Sequence, residues 1–72
     1  MTAQITQLIK FIQDGDVRFY EEVEEEARMI NRNWRESTWT RGLRASNRVK
    51  ALYSDDKPNS PIIAYKYVKG LI

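Results

Sequence analysis

A chain of 72 residues and 8.5 kDa buries only about 60% of the surface its unfolded form exposes, which describes one thin-cored domain over residues 1–72, too small to enclose a dinucleotide or a deep substrate pocket; enzymatic activity is not expected. With no Cys and no His it lacks a disulfide framework, a thiolate or imidazole metal site and a near-neutral acid/base, so catalytic triads and zinc fingers are excluded. The net charge of +2 divides unevenly, with −5 on residues 1–26, +6 on residues 27–53 and +1 on residues 54–72, an asymmetry that concerns partners more than fold.

Ile5, Leu8, Ile9 and Ile12 recur at i, i+3, i+4 and i+7, the stripe of an amphipathic helix. Thr2 is its candidate N-cap and Asp14-Gly15 its stop. Phe11 widens the stripe, and Gln4, Gln7, Lys10 and Gln13 fall on the wet side. One base and apolar runs of no more than two residues fit neither a signal peptide nor a membrane span. A soluble cytoplasmic protein is expected, nucleoid-associated if bacterial.

Asp16-Val17-Arg18-Phe19 alternates, and fits equally a short strand or the entry to the next helix. From Tyr20 the period is helical: Val23, Ala27 and Ile30 share a face with Phe19 or Tyr20, glutamates cover the rest, and the helix ends near Asn31. Asn31 to Glu36 has no clean period and is expected to turn, with Trp34 packed inward. Ser37 is the candidate N-cap of a third helix from Thr38 to about Asn47. Trp39, Leu43 and Ser46 line one side of it, while Thr40, Arg41, Arg44 and Arg48 line the other. Gly42 inside this helix costs about 1 kcal/mol relative to Ala. Val49, Ala51 and Tyr53 then alternate, residues 54–61 are turn formers, and Ile62 to Val68 is rich in strand formers, so a hairpin with a polar tip closes the domain, followed by the short tail Gly70-Leu71-Ile72.

Helix, short strand or helix entry, helix, turn, basic helix and hairpin form an order that resembles the winged helix-turn-helix superfamily of DNA-binding domains. The resemblance runs from Ile5 to Val68, with Ser37 to Asn47 as recognition helix and Arg48 to Val68 as wing. It implies an α+β fold of three helices with a C-terminal β-hairpin wing and a short third strand at Val17–Phe19. It also implies double-stranded DNA as partner, bound by a homodimer or a cooperative oligomer, without a cofactor, a small-molecule substrate or a membrane. In size the chain is similar to the regulators and recombination accessory factors of phages and mobile elements.

The major groove admits one helix, and Arg, Thr and Asn suit its base edges and flanking phosphates. Thr38, Thr40, Arg41, Arg44 and Asn47 are candidates on the third helix: Arg41 or Arg44 for a guanine, Thr40 or Asn47 for a base or a phosphate. Arg48, Lys50, Lys57 and Lys66 are candidate phosphate contacts on the wing. The same arginines would also serve a merely solvated face. Tyr53, Tyr65 and Tyr67 could stack single-stranded bases, but Ile63, Tyr65 and Tyr67 share one strand face and are expected to cover the helices.

Glu21 with Glu25 and Glu22 with Glu26 have i,i+4 spacing that could hold a hard cation. A run of like charge opposite an apolar stripe reads first as a solvated face, and no metal is expected. Glu21, Glu22 and Glu25, with Trp34 as an anchor, are candidates for meeting the basic segment of another subunit or a basic partner protein. The rival to DNA binding is therefore a protein-interaction module that uses this acidic helix and binds no nucleic acid.

Overall fold

Ile5, Leu8, Ile9 and Ile12 are all buried in the computed structural model, which describes residues 3–55 and 60–68, and they form the inner stripe of α1 (Ala3–Gly15). The expected cap Thr2 lies outside the described residues. The helix ends at Gly15, within the expected Asp14-Gly15 stop, and Asp16 rather than the glycine takes the left-handed position with φ 64°. Asp16 donates its N–H to the Gln13 carbonyl at 3.2 Å. Gly15 lets the Arg18 side chain lie close over the helix end, where a Cβ would make the guanidinium move. That guanidinium donates to the Phe11 carbonyl at 3.0 Å, stands 4.1 Å from the Phe11 ring centroid and pairs with Glu22 at 3.8 Å.

Residues 17–19 resolve as strand β1 (Val17–Phe19), paired antiparallel with β3 (Ile62–Tyr67). α2 (Tyr20–Ile30) begins at the next residue, where the Glu22 carboxylate accepts the Phe19 N–H at 3.0 Å, one half of a capping box. Val23 and Ala27 are its buried residues, and Ile30 packs half-buried against them. Asn31 ends the helix by donating to the Ala27 carbonyl at 3.0 Å, and its own Oδ1 accepts the Asn33 N–H at 3.0 Å. Trp34 folds half-buried against the core.

The third helix is displaced toward the N-terminus of its expected range: α3 runs from Glu36 to Ala45, with Arg35 rather than Ser37 at the cap position. Arg35 supplies only its carbonyl, which accepts the N–H groups of Thr38 and Trp39 at 3.0 and 3.2 Å. Glu36 places a carboxylate in the first turn, where the helix dipole favours it. At the other end the Ser46 N–H bonds the Leu43 carbonyl at 3.1 Å and its Oγ accepts the Arg48 N–H at 3.1 Å. This turn takes Asn47 off the helix.

β2 (Val49–Tyr53) joins β3 to complete an antiparallel sheet in the order β1-β3-β2. Val49 and Tyr65 point into the helical layer and are buried there. The register shifts between the pairs Leu52↔Ala64 and Tyr53↔Ile62, a bulge at Ile63. The expectation that Ile63 covers the helices is thereby corrected: Ile62 packs against the core, and Ile63 is turned out, 48% exposed. Tyr20, Trp39 and Tyr65 meet at centroid distances of 5.5, 6.0 and 6.5 Å, tying α2, α3 and β3 into one core. Among the described residues no helix is long and apolar enough to cross a membrane.

Candidate nucleic-acid interface

Buried Trp39 and Leu43 fix the rotation of α3, which leaves Thr38, Arg41 and Arg44 exposed. Arg41 and Arg44 are three residues apart and so neighbours on the helix surface. Among the described residues neither forms an ion pair with a carboxylate. Gly42 explains how closely this helix seats: a Cβ there would overlap Ile5 Cδ1 of α1 and stand 3.0 Å from its Cγ1. The small residue that weakens helix propensity is the one that lets the two helices touch.

Thr40 is half-buried, and its hydroxyl donates to the Glu36 carbonyl at 2.7 Å, with the Ser37 carbonyl at 3.2 Å. Its hydroxyl proton is thus used within the helix, and lone pairs and methyl remain for an outside contact. Thr40 and Arg44 line a shallow cleft with Tyr20, Glu36, Pro61 and Ile62. Burial, then a hydrogen bond to the Glu36 carboxylate, raise the Tyr20 hydroxyl well above its ordinary pKa. Burial also pushes Tyr65 up to about 12, against the opposing pull of Arg44 nearby.

Asn47 and Arg48 occupy the turn after α3 and share a groove with Thr6, Lys10 and Gln13 of α1. Lys10 is thereby brought beside Arg48, although the sequence shows it only as one base on the wet side of the first helix. The signal available was the polar ridge Thr6, Lys10 and Gln13 at i, i+4 and i+7. Lys50 and Lys66, by contrast, are direct cross-strand partners on the sheet face turned away from the helices. They do not share the surface of Arg41 and Arg44. Lys57 lies outside the described residues.

The acidic residues of α2 stand in different surroundings. Glu22 is engaged by the Phe19 N–H and Arg18, and Glu24 pairs with Arg28 at 3.6 Å. Glu21 and Glu25 are exposed. Among the described residues no three carboxylates come together as a cation site. Comparison with family models, curated proteins and solved structures finds no match to this chain.

Proposed function

We propose that the chain is a small winged-helix DNA-binding protein, a regulator or recombination accessory factor, that lays α3 in the major groove. The element order α1-β1-α2-α3-β2-β3 and the sheet order β1-β3-β2 support the winged-helix reading. The observation that carries the function is the exposed pair Arg41 and Arg44 on a helix whose inner side is locked by Trp39 and Leu43. Two guanidinium groups a turn apart, with no carboxylate ion pair among the described residues, are suited to a guanine edge or to flanking phosphates. Lys10, Asn47 and Arg48 share a groove beside the turn that follows α3 and suit a phosphate of the adjoining backbone.

Duplex binding measured by fluorescence anisotropy at about 50 and about 200 mM salt tests this reading. Arg41→Ala and Arg44→Ala are each expected to cost about 1–3 kcal/mol, and Lys10→Ala to lower the salt slope by about one. Lys50→Ala, on the opposite sheet face, is expected to leave sequence preference unchanged. Arg41→Ala and Arg44→Ala proteins that are folded and bind duplex as the parent does would refute the assignment of α3.

A further inference from the structure

The sheet has a second face that no helix covers. Its register puts Phe19, Ala64 and Leu52 in one row across the three strands and Val17, Lys66 and Lys50 in the next. Phe19 is 65% exposed, Val17 42% and Ile63 48%. Ile63 reaches this side only because the bulge turns it out. Three of the exposed large apolar side chains of the described chain are thereby collected on one surface.

The charges around this patch are ordered. Lys50 and Lys66 stand directly opposite each other, and among the described residues neither has a carboxylate partner. Like charges in that arrangement are destabilising within the sheet. Beyond the other end of the apolar row, Glu21 and Glu22 rim a groove whose floor includes Phe19, Ile62 and Ile63. Glu22 is already occupied by Arg18 and the Phe19 N–H, while Glu21 is exposed. From the lysine row through the Phe19 row to the first turn of α2 the order is thus basic, apolar, acidic.

We propose that this face is a two-fold self-association surface, occupied by a second copy of the chain. A two-fold axis lying in the plane of the face and crossing the strands at the Phe19 row would superimpose apolar row on apolar row. It would also bring Glu21 of one copy over Val17 of the other, with Lys66 of that copy one strand, about 4.8 Å, to the side, and the reverse at the symmetry-related edge. The lysine row lies two strand residues, about 7 Å, from the Phe19 row on one side, and Glu21 stands in the first turn of α2 just past Phe19 on the other. A patch with opposite charges flanking an apolar centre is self-complementary, which is what an isologous contact requires. Three short strands are a small area beside the ~800 Å² per partner of a standard interface, so the dimer dissociates on dilution. The proposal is independent of the DNA reading, because it uses the face opposite α3.

Sedimentation velocity across roughly 5 to 500 μM tests it on the whole chain. The parent is expected to pass from monomer to dimer within that range. Phe19→Ser and Lys66→Glu are each expected to weaken the dimer about tenfold or more, and the charge swap Glu21→Lys with Lys66→Glu to restore it. All three positions are exposed, and circular dichroism checks that each variant is folded; if Phe19→Ser fails to fold, the Lys66→Glu and swap pair decides. A parent that stays monomeric throughout, a dimer indifferent to both single variants, or a swap that does not restore association would overturn the proposal. So would a monomer that recruits a different protein through Phe19.

Discussion

At position 42 two residue-scale preferences oppose each other. Ala in place of Gly gains about 1 kcal/mol of helix propensity, but its Cβ would overlap Ile5 Cδ1, and Ile5 is buried at 7% exposure. Overpacking a core site costs about 1–3 kcal/mol, so Gly42→Ala is expected to destabilise the protein by about 1 kcal/mol net. Shortening the obstructing side chain changes the balance. In an Ile5→Val background the same substitution is expected to cost less, or to stabilise, with a coupling of at least about 0.5 kcal/mol in a double-mutant cycle. Urea denaturation of the four proteins measures it, and strict additivity of the two changes would show that α1 and α3 do not meet at these atoms.

At the scale of elements, the junction between α1 and β1 holds a non-glycine residue in left-handed backbone at Asp16. Glycine adopts that conformation freely, whereas an L-residue is strained there, Asp less than most. Asp16 also places a carboxylate just past the negative, C-terminal end of the α1 dipole. Asp16→Gly is therefore expected to stabilise by about 0.5–1 kcal/mol and raise Tm by a few degrees. A Tm no higher than that of Asp16→Ala in the same scanning calorimetry would count against this account. The junction also shows what local sequence carries. The α1 and α2 stripes were legible because burial of Ile5, Leu8, Val23 and Ala27 follows the helical period directly. The start of α3 was not, since its cap is a backbone carbonyl of Arg35 instead of the Ser37 side chain. Ile62 and Ile63 exchanged faces through a bulge set by pairing with β2, information that neither strand holds alone. For the same reason Arg41 and Arg44 could be grouped on one helix from spacing, but the meeting of Lys10 with Arg48 and the separation of Lys50 and Lys66 from α3 depend on how distant elements pack.

Across the whole molecule, the meeting of Tyr20, Trp39 and Tyr65 joins α2, α3 and β3, and it links global stability to alkaline pH. Burial raises both hydroxyls, Tyr65 from 10.0 to about 12, and the Glu36 carboxylate adds to the rise at Tyr20. A folded pKa above the unfolded one means that the unfolded chain releases protons first as pH rises. The associated stability is fully present below pH 10.0, the value for the unfolded group, and is lost between there and about 12. Each group contributes a downward slope of up to about 1.4 kcal/mol per pH unit. Urea midpoints followed from about pH 8 to about pH 11.5, together with tyrosinate absorbance, are expected to fall above pH 10 as Tyr20 and Tyr65 ionise with unfolding. Tyr65→Phe flattens that fall and leaves neutral-pH stability within about 1 kcal/mol of the parent, because the buried Tyr65 Oη has no hydrogen-bond partner among the described residues. Tyr20→Phe also flattens the fall but costs about 1 kcal/mol at neutral pH through loss of its bond to Glu36. An alkaline profile unchanged in both variants would mean that this aromatic core does not control the pH dependence of the fold.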